Sequence, residues 1–214
     1  YGLMHLSNIW SETLLLKKAI QLLDKIEPLI EKDVLFDLLS GSAGAIIVCL
    51  RLYSLTGEKK ALTIAEKCGD HLLKNAQSLE IGCGWSFNIG AGHEPIAGLS
   101  HGSAGIAMAL VELFHLTKNK KYLEKALETL EFERTLYNKK ERNWTDIRFL
   151  EKRQELGLET PVQWCHGAAG ITLSRLMIQK YYKDSKIENE IKIGTDTTLK
   201  KGFGGSHCLC HGDF

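Results

Sequence analysis

One short string of glycines and small residues recurs three times in this chain, as Ser40-Gly41-Ser42-Ala43-Gly44, His101-Gly102-Ser103-Ala104-Gly105 and His166-Gly167-Ala168-Ala169-Gly170. Its first glycines stand at 41, 102 and 167, and an incomplete fourth copy begins at His211-Gly212, so the intervals are 61, 65 and 45 residues. Self-similarity at a near-fixed period marks a stack of like units that bury a core only together. Each complete copy opens an apolar segment, Ala43 to Leu55, Ala104 to Leu116 and Ala168 to Tyr181, whose all-round hydrophobicity suits a buried helix. Charged segments follow, Lys59 to Leu73, Lys120 to Leu136 and Lys186 to Lys200, with apolar residues three and four apart such as Leu123, Leu127 and Leu130. They read as outer helices covering the inner ones.

With an opening helix from about Ser11 to Glu31, the pattern predicts seven helices and almost no strand. The stretches Ile81 to Gly98 and Gly202-Phe203-Gly204-Gly205 read as glycine-rich loops. The fold class is therefore all-α, and inner helices alternating with outer ones at a regular period predict an α/α toroid. If each inner helix starts at its repeated glycine, the residues before those glycines converge at one end of the barrel. Open N–H groups at the helix starts should make that rim electropositive.

Composition narrows the function classes. Among 214 residues, 27 Lys+Arg balance 26 Asp+Glu to a net +1, and the charges are interleaved, so no nucleic-acid footprint is present. With 44% hydrophobic residues and three prolines the chain can bury a sizeable core. Its longest apolar run, Ala43 to Leu50 broken by Gly44, falls far short of the roughly 20 residues a membrane helix needs, which predicts a soluble protein. Tyr1 is not an initiator Met, the first ten residues lack the order of a secretory signal, and the chain stops just after a Cys-His pair where the period predicts a new helix. These features suggest a fragment, incomplete at the C-terminus, with further helices expected after Phe214. Six cysteines without a secretory signal favour reduced thiols or metal ligation, and the expected compartment is the cytoplasm.

The residues immediately before the repeated glycines are Ser40, His101, His166 and His211, and one position earlier stand Leu39, Ser100, Cys165 and Cys210. A carboxylate, Asp37, lies four residues before Gly41. Two thiolates and a neutral imidazole form a Zn²⁺ ligand set that keeps a fourth tetrahedral position open, as catalytic zinc sites do. A closed site that uses both His166 and His211 fits the spacing as well, and Cys208, two residues from Cys210, is a further candidate outside the repeat. Cys49 and Cys68 fall inside helical patterns and read as core. Gly90-Ala91-Gly92 lacks the preceding strand and third glycine of a dinucleotide loop. His5, His71, His93, His115 and His207 lie off the equivalent positions, and Trp85, Trp144 and Trp164 border the same loops, where rim packing is the default.

These segments resemble the lanthionine synthetase C-like (LanC-like) family, and more narrowly the cyclase domain of class II (LanM-type) lanthipeptide synthetases. Asp37 with Gly41-Ser42-Ala43-Gly44, then Gly98-Leu99-Ser100-His101-Gly102-Ser103-Ala104-Gly105, Trp164-Cys165-His166-Gly167 and Leu209-Cys210-His211-Gly212 are similar in order to the family's four motifs. Asn143-Trp144-Thr145-Asp146-Ile147-Arg148 resembles a segment of the LanM branch, with Thr145 where proline is usual. Two features depart from the pattern: Leu158 to Trp164 lacks the arginine that stand-alone cyclases carry, and the helices expected after Gly212 are missing. The resemblance implies that the whole chain, residues 1–214, is a partial LanC-like domain, with a dehydratase domain expected upstream in the same polypeptide. It implies Cys165, Cys210 and His211 as zinc ligands, Asp37 and His101 as acid/base and supporting groups, and His166 as a neighbour.

The implied reaction is Michael addition of a cysteine thiol of a dehydrated precursor peptide to dehydroalanine or dehydrobutyrine, giving lanthionine or methyllanthionine. A thiol of pKa near 8.5 is only about 3% thiolate at pH 7, which explains the metal. His101 suits proton transfer at neutral pH, with Asp37 orienting its ring. A zinc-stabilised module that binds peptides or thiols without turnover is the alternative. A sugar-active toroid enzyme would need paired carboxylates where this chain places Asp37 alone. The family's membrane-associated export partners leave no readable mark in this sequence.

Overall fold

The computed structural model describes residues 1–86 and 94–205. Its first 32 residues carry apolar side chains at helical spacing but do not form the single opening helix expected from Ser11 to Glu31. They divide into α1 (Gly2–Trp10), α2 (Thr13–Gln21), α3 (Leu23–Ile26) and a 3-10 turn over Glu27–Lys32. Local chemistry places each break. Ser11 adopts a left-handed backbone, φ 53°, that closes α1, and the Glu12 carboxylate accepts from Leu14 N–H at 3.0 Å to start α2. Pro28, which has no N–H to donate, lies at the start of the 3-10 turn.

Beyond this region the helices keep close to the expected bounds. They are α4 (Ser42–Thr56), α5 (Lys59–Asn75), α6 (Ser103–Thr117), α7 (Lys120–Thr135), a short α8 (Leu150–Glu155) that sequence periodicity does not reveal, α9 (Ala168–Gln179) and α10 (Ser185–Lys201). The glycine-rich loop after α5 holds a small antiparallel hairpin, β1 (Gln77–Ser78) with β2 (Cys83–Gly84). A repeat-equivalent hairpin follows α7, β3 (Tyr137–Asn138) with β4 (Asn143–Trp144). Two-residue strands carry no detectable alternation, which is why the sequence pattern misses them.

Inner helices α4, α6 and α9 pack side by side in that order, and each is backed by the outer helix that follows it, α5, α7 and α10. The described residues thus form an arc of an all-α double ring. Helix α6 is buried from Ser103 through Val111 and again at Leu113, because neighbours cover both its flanks and its back. Leu110 and Leu113 are fully enclosed, and burying such a side chain contributes about 1.5–3 kcal/mol. The outer helices are one-sided: α5 buries Ala61, Ile64, Ala65, Cys68 and Leu72 and gives its lysines to solvent. Lys60 and Lys67 pair there with Asp24 and Glu27, but these contacts are exposed, so buried Leu23 and Ile30 do most to hold the opening segment in place. Cys49 and Cys68 are core residues as expected, and burial pushes their thiols up to about 11 and about 12. Among the described residues no helix is long and apolar enough to cross a membrane.

Candidate functional site

The start of each inner helix is built in the same way. The last glycine of each copy packs on the carbonyl oxygen of the residue six positions earlier: a Cβ added to Gly44, Gly105 or Gly170 would lie 2.1, 2.1 or 1.9 Å from the oxygen of Leu38, Leu99 or Trp164. The N–H of each of these glycines donates to the residue seven positions back, Gly44 to Asp37 at 3.1 Å, Gly105 to Gly98 at 3.4 Å and Gly170 to Gln163 at 3.2 Å. Ala43 and Ser103 N–H groups donate likewise to Phe36 and Ile96. The N–H groups of Ser42, Ala43, Gly44, Ser103, Gly105 and Gly170 are therefore spent on the preceding segment, which corrects the expectation of a rim of open N–H groups for α4 and for part of the α6 and α9 starts. Outer helices instead begin with side-chain caps, Glu58, Asn119 and Asp184.

Consecutive turns are also stitched to one another. Leu38 N–H donates to Ser100 C=O at 3.1 Å, and the repeat-equivalent Leu99 N–H donates to Cys165 C=O at 3.0 Å. Ser100 adds its own N–H, at 3.2 Å, and its hydroxyl, at 3.3 Å, to the Cys165 oxygen. This ladder brings the three described rim positions together at one end of the ring, as the repeat predicts.

What it assembles is a dyad and a neighbouring imidazole. Asp37 is fully buried; its Oδ1 accepts from Ser40 N–H at 2.7 Å and its Oδ2 accepts from His101 Nδ1–H at 2.7 Å. The contact bridges two repeats and engages the Nδ1 side of the His101 ring. The His166 ring lies nearly parallel to that of His101, centroids 6.2 Å apart, and its Nδ1–H points to Ala97 C=O at 3.3 Å. Burial, reinforced by the charge of Arg148, pushes His166 down to about 4 against the pull of Asp146, so its ring is neutral at pH 7. Cys165 is buried beside it, its Sγ 3.8 Å from Gln163 Oε1.

The third copy departs from the other two at its first glycine. Gly41 and Gly102 have extended backbones, whereas Gly167 has φ 84° and bridges to Val162, and a Cβ there would lie 1.6 Å from Pro161 oxygen. Asn143 secures this loop from behind, its Nδ2 donating to Thr160 and Pro161 carbonyls at 2.9 Å each. Further along, Asp146 receives Arg148 through two contacts, at 2.9 and 2.6 Å, and Arg153 at 3.1 Å. Burial raises Asp146, but the Arg148 contacts outweigh it and hold the carboxyl below the usual range. The Asn143 to Arg148 segment is thus the brace under the Cys165 loop.

Of the predicted site residues, Asp37, His101, Cys165 and His166 come together, whereas Cys210, His211 and Cys208 lie outside the described residues, as do His93, His207 and Gly90-Ala91-Gly92. Among the described residues no three His, Cys, Asp or Glu side chains gather as a metal site. His71 donates to Asp33 C=O and His115 stacks on Tyr181, so both are accounted for by packing. Trp85 and Trp144 are buried and Trp164 is 38% exposed at the rim. Sequence reasoning missed Asp33, whose Oδ2 accepts from the Ser42 N–H and hydroxyl at 2.7 and 2.6 Å, nine residues away and beyond any local capping pattern. It also missed Glu133, which sits on α7 among outer-helix charges yet is fully buried.

All 214 residues match the family described as lanthionine synthetase C-like protein. The lacticin 481/lactococcin biosynthesis protein LcnDR2 of Lactococcus lactis subsp. lactis is 28% identical over 199 residues, 88% of this chain and 18% of that protein. A solved structure of nisin cyclase aligns with TM-score 0.60 at 16% identity, over 83% of this chain and 48% of its own. A family 76 α-mannanase from Bacteroides thetaiotaomicron aligns with TM-score 0.58 at 17% identity, over 76% of this chain and 44% of its own. Likeness at such identities is likeness of fold, and it places the arc in the α/α toroid architecture. This chain spans under a fifth of the curated relative and under half of the solved structures.

Proposed function

The chain belongs to the lanthionine synthetase C-like family, and from that premise we propose that it is cyclase machinery of a class II lanthipeptide synthetase, with the dehydratase domain in the same polypeptide. Its substrate is a dehydrated precursor peptide, and its product carries lanthionine or methyllanthionine thioether rings. The observation that carries this reading is the Asp37–His101 contact of 2.7 Å beside the Cys165 loop. An acid/base pair and a candidate thiolate ligand meet there at one rim.

The proposed ligands are Cys165, Cys210 and His211. The donor set fits zinc, since two thiolates and a neutral imidazole cancel the 2+ charge and keep one position open. Cys165 fits on its own account, being enclosed on a backbone fixed by three hydrogen bonds to its carbonyl. When bound, Zn²⁺ would supply the Lewis acidity that lowers the pKa of a substrate thiol.

The chain's own residues handle the protons. With Nδ1–H committed to Asp37, His101 takes the thiol proton at Nε2, and the buried carboxylate stabilises the resulting imidazolium. The sulfur bonds to the β-carbon, the alkene pair moves to the α-carbon and its carbonyl, and His101 returns the proton to the α-carbon. No atom is lost. His166, neutral and turned toward Ala97, packs beside this pair and carries no proton through the cycle.

The test is elemental zinc analysis of the wild type and of Cys165→Ala, Cys210→Ala, His211→Ala and His166→Ala, with cyclisation of a dehydrated peptide followed by thiol alkylation and mass spectrometry. One zinc per chain, lost in the first three variants and kept in the fourth, supports the ligand set. His101→Ala should retain zinc and lose cyclisation by about 10²–10⁴-fold. Cyclisation at the wild-type rate with zinc retained would remove His101 from the chemistry, and a zinc-loaded protein without turnover would point to a binding module.

A further inference from the structure

Behind the rim, in the space between α6, α7, α9 and α10, lies an ionic ladder that neither the repeat nor the proposed reaction uses. Arg175 on α9 is completely buried, and it pairs with Glu133 on α7 and Glu190 on α10 at 2.6 Å each. Arg134 closes the outer end on Glu190. A buried triad of this kind is weak as a source of stability, because desolvation offsets most of its attraction. Its inner end, however, does something specific: the second carboxylate oxygen of Glu133 accepts the N–H of Gly98 at 3.0 Å.

Gly98 is where the rim contacts converge. It has φ 122°, and a Cβ on it would lie 2.7 Å from His166 Nδ1 and 2.8 Å from the Cys165 carbonyl oxygen. Its neighbour Ala97 takes the His166 N–H, the two residues after it hold the Cys165 carbonyl, and the third is His101. One carboxylate oxygen thus fixes the point from which the second motif reaches both the Cys165–His166 turn and the Asp37–His101 contact. Arg175 fixes that carboxylate in turn, and Arg175 is held by Glu190.

We propose that Glu133 is a positioning residue for the cyclase reaction: it sets the Gly98 backbone, and through it the placement of His101 relative to the Cys165 turn, with Arg175 and Glu190 as its anchor. The inference rests on the function proposed above and adds a residue to it. Reach and charge make separable contributions here. Glu133→Asp keeps the charge beside Arg175 but draws the carboxyl back by one methylene from Gly98, whereas Glu133→Gln keeps an oxygen at the same reach for Gly98 and gives up the charge and the acceptor that faces Arg175.

The experiment measures kcat and KM for peptide cyclisation, zinc content, thermal stability and the hydrogen-exchange rate of the Gly98 amide in both variants of the intact protein. A positioning role gives Glu133→Asp a kcat lower by about 10-fold or more, with KM and zinc near wild type, since small misplacements of reacting groups have large effects on rate. Glu133→Gln should then retain most of the wild-type kcat, although it is the less stable of the two. The Gly98 amide should exchange faster in Glu133→Asp than in Glu133→Gln. The opposite order of kcat, or equal values in both variants, overturns the proposal. If the wild type itself fails to cyclise, the function reading fails, and the order of Gly98 exchange still decides whether Glu133 sets that backbone.

Discussion

Gly105→Ala separates the effect of this architecture from that of ordinary helix propensity, because the two have opposite signs. Gly105 lies in the first turn of α6, and on propensity alone alanine there would stabilise the helix by up to about 1 kcal/mol. In the folded ring the added Cβ would lie 2.1 Å from Leu99 oxygen and 3.2 Å from the Leu38 Cβ, so the backbone itself must move. Overpacking of this kind costs about 1–3 kcal/mol, and a backbone carbonyl yields less readily than a side chain, so the net effect should be a loss of about 1–2 kcal/mol. For a domain of this size that lowers Tm by about 2–8 °C. The assay is thermal unfolding followed by circular dichroism, with Gly2→Ala as control, since nothing lies within 4 Å of a Cβ at Gly2. The displaced Leu99 also leads directly to Ser100 and His101, so cyclisation should fall by more than the stability loss explains. A Gly105→Ala protein as stable as the wild type or more so would refute the close-packing argument, and with it the reason for the second glycine in every complete copy.

Other outcomes follow from the same geometry. Arg175→Met should destabilise by about 3–5 kcal/mol in urea unfolding, because it leaves the Glu133 carboxylate buried without its cation, whereas Arg175→Met combined with Glu133→Gln should recover part of that loss. Asn143→Asp places a carboxylate against the Thr160 and Pro161 carbonyls and should cost about 2 kcal/mol in urea unfolding; under the proposed zinc reading it should also weaken metal retention in chelator competition. His166 gives a pH signature: its folded pKa, about 4, lies below the ordinary value of 6.5, so as pH falls through that window the unfolded chain takes up a proton that the folded chain refuses. Stability should therefore drop by up to about 3 kcal/mol between pH 6.5 and 4. Urea midpoints for the wild type and His166→Asn, compared at pH 7 and pH 4.5, check it, and identical losses in both would show that His166 is not the cause.

The sequence by itself determined the architecture and the end of the barrel at which to look. Inner and outer helices were legible because burial writes its period directly into residue choice: all-round apolar for α4 and α6, one-sided for α5 and α7. The repeated glycines marked the helix starts, since only a residue without a Cβ can pack on a carbonyl at the distances seen at Gly44, Gly105 and Gly170. Spacing then put Asp37, His101, Cys165 and His166 at one rim, where the structure brings them together. The opening segment differs from the expectation because its apolar period continues through breaks set by the left-handed backbone at Ser11 and by Pro28, which has no N–H to donate. The helix-start N–H groups of Ala43, Gly44, Ser103, Gly105 and Gly170 were not foreseen as bonded because their acceptors are carbonyls seven residues back, which a helical template does not contain. Only the tertiary structure decided the roles of Glu133 and Asp33. In the sequence each is one acidic residue among many on a charged surface; what distinguishes them is a partner 35 residues away for Glu133 and nine for Asp33, and, for Glu133, burial that exists only once inner and outer helices have packed on each other.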